Sequence, residues 1–172
     1  MSHPLVLGLY RDAAAAASGA RAARALGVQP DQLSIVSRTH EDEIALAREV
    51  GGSPGAEMED SRPAGRLGEL GAHILAAVAI VLPGIGPIVT AGPLAAELGE
   101  VAGHAAGDLA GVLGKCGLAE ERAHTWETRV HEGAVLLGAH IYGVDAGAVR
   151  AALAQAGADE TALGAWVTHR PA

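Results

Sequence analysis

The sequence predicts an α+β fold, a ferredoxin-like split βαβ scaffold interrupted by a glycine-rich antiparallel helical hairpin. Three observations carry this expectation. Apolar runs at 4–10, 33–38 and 134–142 have the length and patterning of buried strands. Helical segments with start and stop signals lie between them. Residues 62–117 have a different texture, long and apolar but punctuated by Gly and Pro. The 172 residues therefore read as one domain, with a β-α-β-α half at 1–61, an inserted hairpin at 62–117 and an α-β-α half at 118–172.

The elements follow in order. Residues 4–10 (PLVLGLY) make a short buried strand. Asp12 is placed to cap an Ala-rich helix that stops near Gly27, glycine being the usual residue just past a helix end. Pro30 to Gln32 turn the chain into the alternating strand LSIVSR at 33–38. Thr39 with Asp42 resembles a capping box for a helix through Val50, and 51–63 is a loop rich in Gly, Pro and acid. Beyond the hairpin, 118–132 is a charged amphipathic helix and 134–142 a second clear strand. Asp145 caps a helix ending at Gly157, and 160–168 supplies a weakly patterned edge strand. The order β-α-β, then α-β-α-β, is that of the split βαβ unit.

Half of the chain is apolar, but the filling comes from Ala, Gly, Leu and Val, with no Phe and only Tyr10, Tyr142, Trp126 and Trp166 as aromatics. The net charge of −8 with scattered single basic residues argues against nucleic acid or an anionic membrane as partner. Cys116 stands alone, which excludes an intramolecular disulfide and fits a cytoplasmic location. The first residues lack the basic-then-apolar layout of a secretory signal.

Between Leu70 and Ala96 the only ionisable residue is His73. The run is long enough for a membrane span. Pro83, Gly84, Gly86, Pro87, Gly92 and Pro93 break its middle, so two helices joined by the turn LPGIGPIVTAGP are expected instead. In the first arm Glu69 and His73 are four apart. In the second, Glu100, His104 and Asp108 repeat that spacing, with Glu97 seven residues before His104. With the turn at its centre, the hairpin brings His73 level with His104 and Glu69 level with Asp108. Beside this stripe, Gly99, Gly103, Gly107 and Gly111 recur at every fourth position, a pattern that lets helix backbones approach closely.

Carboxylates and imidazoles next to a tight apolar seam are costly unless paired, hydrogen-bonded or bound to metal. Two hairpins packed as a homodimer would form four helices offering Glu69, His73, Glu97, Glu100, His104 and Asp108. That is the kind of set with which helical bundles hold di-iron or di-manganese centres. Oxygen and nitrogen donors suit Fe, with Mn and Zn as alternatives. The spacing here is Glu-x-x-x-His rather than the usual Glu-x-x-His, so a solvated polar stripe and a haem held by His73 and His104 stay open.

The stretch PGIGPIVTAGPLAAEL, followed by alternating Gly and Ala and then LAEERAHTWETRVHEGAVLLGAH, resembles a bacterial family of heat-induced or general stress proteins, over roughly residues 65–142. The resemblance implies a small α/β domain holding an apolar glycine-rich hairpin, and a link to stress that names no reaction. The ionisable residues in the arms depart from the Gly, Ala and Leu expected there, so the resemblance speaks for architecture and not for activity.

Other candidates have plainer readings. Gly84-Ile85-Gly86 lacks the Lys and Ser/Thr of a phosphate loop. Cys116 beside Lys115 reads as an inert helix-end thiol, His124 and His131 as solvent-facing with Glu120, Glu121, Glu127 and Glu132, and His140 as a satisfied core or edge histidine. The expectation is thus a metal-binding stress protein with a ferroxidase-like or iron-storage role, or else a non-enzymatic assembly protein whose hairpin makes the oligomer.

Overall fold

The computed structural model describes residues 2–38, 77–82, 86–94 and 108–167. Its centre is an antiparallel sheet of six strands, β1 (Ser2–Tyr10), β2 (Leu33–Arg38), β3 (Ala77–Leu82), β4 (Gly86–Ala91), β5 (Val135–His140) and β6 (Glu160–Val167), in the order β3-β4-β2-β5-β1-β6. Among the described residues four full helices join them: α1 (Ala13–Ala25), α2 (Leu109–Lys115), α3 (Glu120–His131) and α4 (Ala146–Gln155). A 3-10 turn at Pro30–Gln32 leads into β2.

The helix starts follow the capping logic of the sequence. Asp12 accepts a bond from the Ala15 amide at 2.8 Å and Asp145 one from Ala148 at 2.6 Å, so each satisfies a backbone donor that its helix cannot. Helix α1 runs from β1 to β2, which lie on either side of β5. Helix α4 runs from β5 to β6, which lie on either side of β1. Register is set along whole strands: Leu5 faces His140 and Tyr10 faces Val135, while Ser2 faces Val167 and Leu9 faces Glu160.

Over β1, β2 and β5 both faces of the sheet are covered. On one, α1 and α4 pack over Val6, Tyr10, Leu33, Ile35, Val135, Leu137 and Ala139. On the other, α2 and α3 pack over Leu5, Leu7, Leu9, Val36, Leu136 and Trp166, with Trp126 fully buried among them. Burial on both faces explains why β1 and β5 read as continuous apolar runs rather than as alternating ones. Among the described residues no helix is long and apolar enough to cross a membrane.

The flanking elements expected at 4–38 and 118–168 are present over the described residues, while the helix expected through Val50 and the loop at 51–63 lie outside them. The weakly patterned edge strand at the C-terminal end is β6, paired along its full length with β1. The centre of the expected helical hairpin is different. Residues 77–82 and 86–91 are strands, paired from Ala77 opposite Ala91 to Leu82 opposite Gly86, and β4 continues the sheet against β2. The residue types explain it. Val78, Ile80, Val81, Ile88, Val89 and Thr90 are β-branched and fit a pleated surface, while Pro83 and Pro87 break a helix. A short apolar run carries no periodicity that separates a buried helix from a buried strand. The rest of the first arm, 62–76, and residues 95–107 of the second lie outside the described residues.

Candidate functional site

Asp108 is the one member of the predicted ligand set among the described residues, and it does not continue a helical stripe. Its backbone is extended (φ −122°, ψ 167°), and its side chain accepts from the Gly111 amide at 2.6 Å as the N-cap of α2. The four-residue spacing from Glu100 and His104 therefore does not carry through one helix to Asp108. Gly111 also has a local reason. A methyl group there would lie 2.8 Å from the Asp108 carboxylate oxygen, so glycine lets the cap close tightly. Glu69, His73, Glu97, Glu100 and His104 lie outside the described residues, as do Gly99, Gly103 and Gly107.

What Asp108 meets is α3. Glu127, half-buried, reaches back to the start of α2 and accepts from the Ala110 amide at 2.8 Å. His124 stands one helical turn before Glu127, its Nδ1 4.0 Å from the Glu127 carboxylate and its side chain 56% exposed. Asp108, His124 and Glu127 each offer one ligand atom, and the three atoms lie within 4.8 Å of one another. Helices α2 and α3 hold them because Leu109, Val112 and Leu113 pack on Ala123, Trp126 and Val130, which turns Asp108 and the His124–Glu127 side of α3 toward each other at the rim. Each carboxylate gives one oxygen to an amide of α2 and carries a second, so the cluster can present two oxygens and an imidazole nitrogen to a cation. That donor set fits Fe, Mn or Zn.

His124 is exposed, as its place on a charged helix suggested. Glu127 is not simply solvent-facing, because the neighbouring helix start takes one of its oxygens. His131 is exposed, and its carbonyl accepts from Arg38 at 2.7 Å. Cys116 is buried at the end of α2, where its carbonyl accepts from the Ala165 amide of β6 at 2.9 Å.

A second constellation lies inside the sheet. His140 on β5 is 1% exposed. Its Nε2 is 3.1 Å from Ser34 Oγ on β2 and its Nδ1 is 3.0 Å from His3 Nε2 on β1, while Trp166 of β6 meets its ring edge-on at 5.0 Å. Ser34 Oγ also accepts from the Leu94 amide at 3.0 Å. At the surface end, the hydroxyl of Tyr142 is 2.9 Å from His3 Nδ1. Burial first, and then the nearby His3, pushes His140 down to about 4; burial, and then the positive chain terminus, lowers His3 as well. His140 is satisfied in the core, as its place in the apolar strand suggests, but the sequence carries no signal for its partners. They come from strands 106 and 137 positions away, and no local spacing records a pairing across a sheet.

No family model, no curated protein and no solved structure matches the chain.

Proposed function

We propose that the protein binds a metal ion between α2 and α3, with Asp108, His124 and Glu127 as ligands. The observation that carries the reading is the convergence of their three donor atoms within 4.8 Å. His104 and Glu100 precede Asp108 by four and eight residues. Both, with Glu97, are carried in the proposal as further ligands on their nearness in sequence alone. Iron is the preferred ion and Mn or Zn the alternatives. If the ion is iron, its oxidation by oxygen or peroxide, in a storage or detoxification role, is the activity proposed. Asp108 and Glu127 would neutralise its charge, and His124 would supply the nitrogen ligand.

The stress-protein resemblance, a ferredoxin-like reading of strands β2-β5-β1-β6, a cytoplasmic location and self-association belong to the same proposal. Self-association is supported by the edge position of β6 and by Leu163 and Val167, both about half exposed on one of its faces.

The test is titration calorimetry of the purified, tag-free protein with Mn(II), Zn(II) and, without oxygen, Fe(II). One tight site is expected, weakened at least tenfold by His124→Ala with no change in melting temperature. Absence of stoichiometric binding, or binding indifferent to both His124→Ala and Glu127→Gln, overturns the reading.

A further inference from the structure

Gly92–Leu94 follows β4 as a bend at Gly92 and helical backbone at Pro93 and Leu94, and it is pinned to β2. Gly92 has a left-handed φ of +79°, and an added Cβ would run into the Leu33 carbonyl, so this backbone sits directly on the strand. The pin itself is the bond from the Leu94 amide to Ser34 Oγ, with both residues fully buried.

Ser34 can hold that bond in only one way without leaving a donor stranded. A hydroxyl has one proton to give. If Ser34 gives it to His140 Nε2, then His140 carries its proton on Nδ1 and donates to His3 Nε2. His3 then carries its own proton on Nδ1, the nearer of its two nitrogens to Tyr142 Oη at 2.9 Å against 3.1 Å for Nε2, and donates there. Every polar atom along the chain is then satisfied. In the opposite direction His140 Nε2–H points at Ser34, whose oxygen already accepts from Leu94, and the buried Ser34 O–H is left over among the hydrogen bonds of the described residues. A stranded buried donor is costly, so the forward direction wins.

Adding a proton removes that choice. With His140 protonated, both of its nitrogens donate and Ser34 must turn its O–H away. With the proton on His3 Nε2, two N–H groups would face each other across 3.0 Å unless His140 passes its own proton to the Ser34 side. Either way the serine proton loses its place. We infer that Tyr142, His3, His140 and Ser34 form an acid-responsive latch: a proton entering at the exposed Tyr142–His3 end releases the Gly92–Leu94 turn at the buried end.

The surroundings favour a latch over a static ion site. From the elements packed against this face, β1 brings His3, the turn after β5 brings Tyr142, β6 brings Trp166, and α2 and α3 bring Leu109, Leu113, Cys116 and Trp126. The titratable groups among these are His3, Tyr142 and the Cys116 thiol, and the positive chain terminus also acts on His3. Among the described residues no carboxylate forms an ion pair with either imidazole, so none of these holds a proton gained there. Opening the turn gives the charged imidazole and the serine hydroxyl access to water.

The experiment is amide hydrogen exchange by NMR at pH 7.0 and 4.5, corrected for intrinsic rates, with long-range ¹⁵N spectra of the histidine rings. At pH 7.0 both rings should be Nδ1–H tautomers. Leu94 protection should fall at least tenfold on acidification, and at pH 4.5 Leu94 should exchange at least a hundredfold faster than Leu137 in the sheet centre. In Ser34→Ala, Leu94 should be poorly protected at both pH values. The wild-type data suffice if that variant does not fold. An Nε2–H tautomer of His140 at pH 7.0, unchanged Leu94 protection, Leu94 exchanging no faster than Leu137 at pH 4.5, or a pH-dependent Leu94 in Ser34→Ala would each overturn the latch.

Discussion

His140 Nδ1 lies 3.0 Å from His3 Nε2, two imidazoles brought nitrogen to nitrogen from positions 137 apart in the chain. The contact exists because β1 and β5 pair in a register that sets Leu5 opposite His140, with His3 two residues further along the same face. It has a thermodynamic consequence, because the two rings cannot both be charged at that distance.

Stability should therefore fall in mild acid. His140 is pushed from 6.5 in the unfolded chain to about 4 in the fold. Below pH 6.5 the unfolded chain binds the proton and the folded one does not, so stability declines as pH falls and the loss is complete below about 4. The difference corresponds to roughly 3 kcal/mol. Urea unfolding at pH 7.0 and 4.5 should show a loss of that order in the wild type. It should be mostly absent in His140→Gln, which cannot titrate; equal pH dependence in both proteins would contradict the assignment.

Ser34→Ala removes the hydroxyl that accepts from Leu94 and meets His140 Nε2. Two buried polar groups are left without that partner, at an expected cost of about 1–3 kcal/mol. Ser34→Thr adds a methyl group but keeps the oxygen, so thermal melting should show the smaller loss if the hydroxyl rather than the volume matters. An alanine variant as stable as the wild type would mean that the buried bonds contribute nothing net.

Gly92→Ala should be worse than a loop substitution usually is. The residue sits at a φ of +79°, and the new methyl group meets the backbone of Leu33 rather than a side chain that could swing aside. Strain and clash together should cost roughly 2 kcal/mol or more. The effect should concentrate on the docking of β4 to β2, where Ile35 pairs with Ala91. Exchange of the Ile35 and Ala91 amides checks this, and intact protection of both would rule it out.

The sequence announced some of these features and concealed others for physical reasons. Strands β1, β2 and β5 and helices α1, α3 and α4 were readable because their caps, glycine stops and apolar runs are local signals: Asp12, Asp145, Gly27 and Gly157 mark ends by their own backbone needs. Residues 77–91 misled because a continuous apolar run reads the same in a buried helix and a buried strand, and Val78, Ile80, Ile88 and Val89 had to outweigh length. Asp108 reads as a ligand from its spacing, but its partners His124 and Glu127 read as solvent-facing on a charged helix. Their meeting depends on how α2 crosses α3, which no spacing within either segment encodes. The His3–His140–Ser34 chain was invisible for the same reason, since it is assembled by strand order alone.

Asp108 carries two burdens, and one substitution separates them. Its side chain caps α2 through the Gly111 amide, and its carboxylate belongs to the cluster with His124 and Glu127. Asparagine caps a helix about as well as aspartate, whereas alanine loses about 1 kcal/mol at such a position. Asp108→Asn should then melt close to the wild type while binding Mn(II) or Zn(II) at least tenfold more weakly, because an amide oxygen lacks the charge that holds a divalent cation. Asp108→Ala should lose both stability and binding. Calorimetry and thermal melting on the same two variants decide it: if Asp108→Asn binds metal as tightly as the wild type, Asp108 is a helix cap and nothing more.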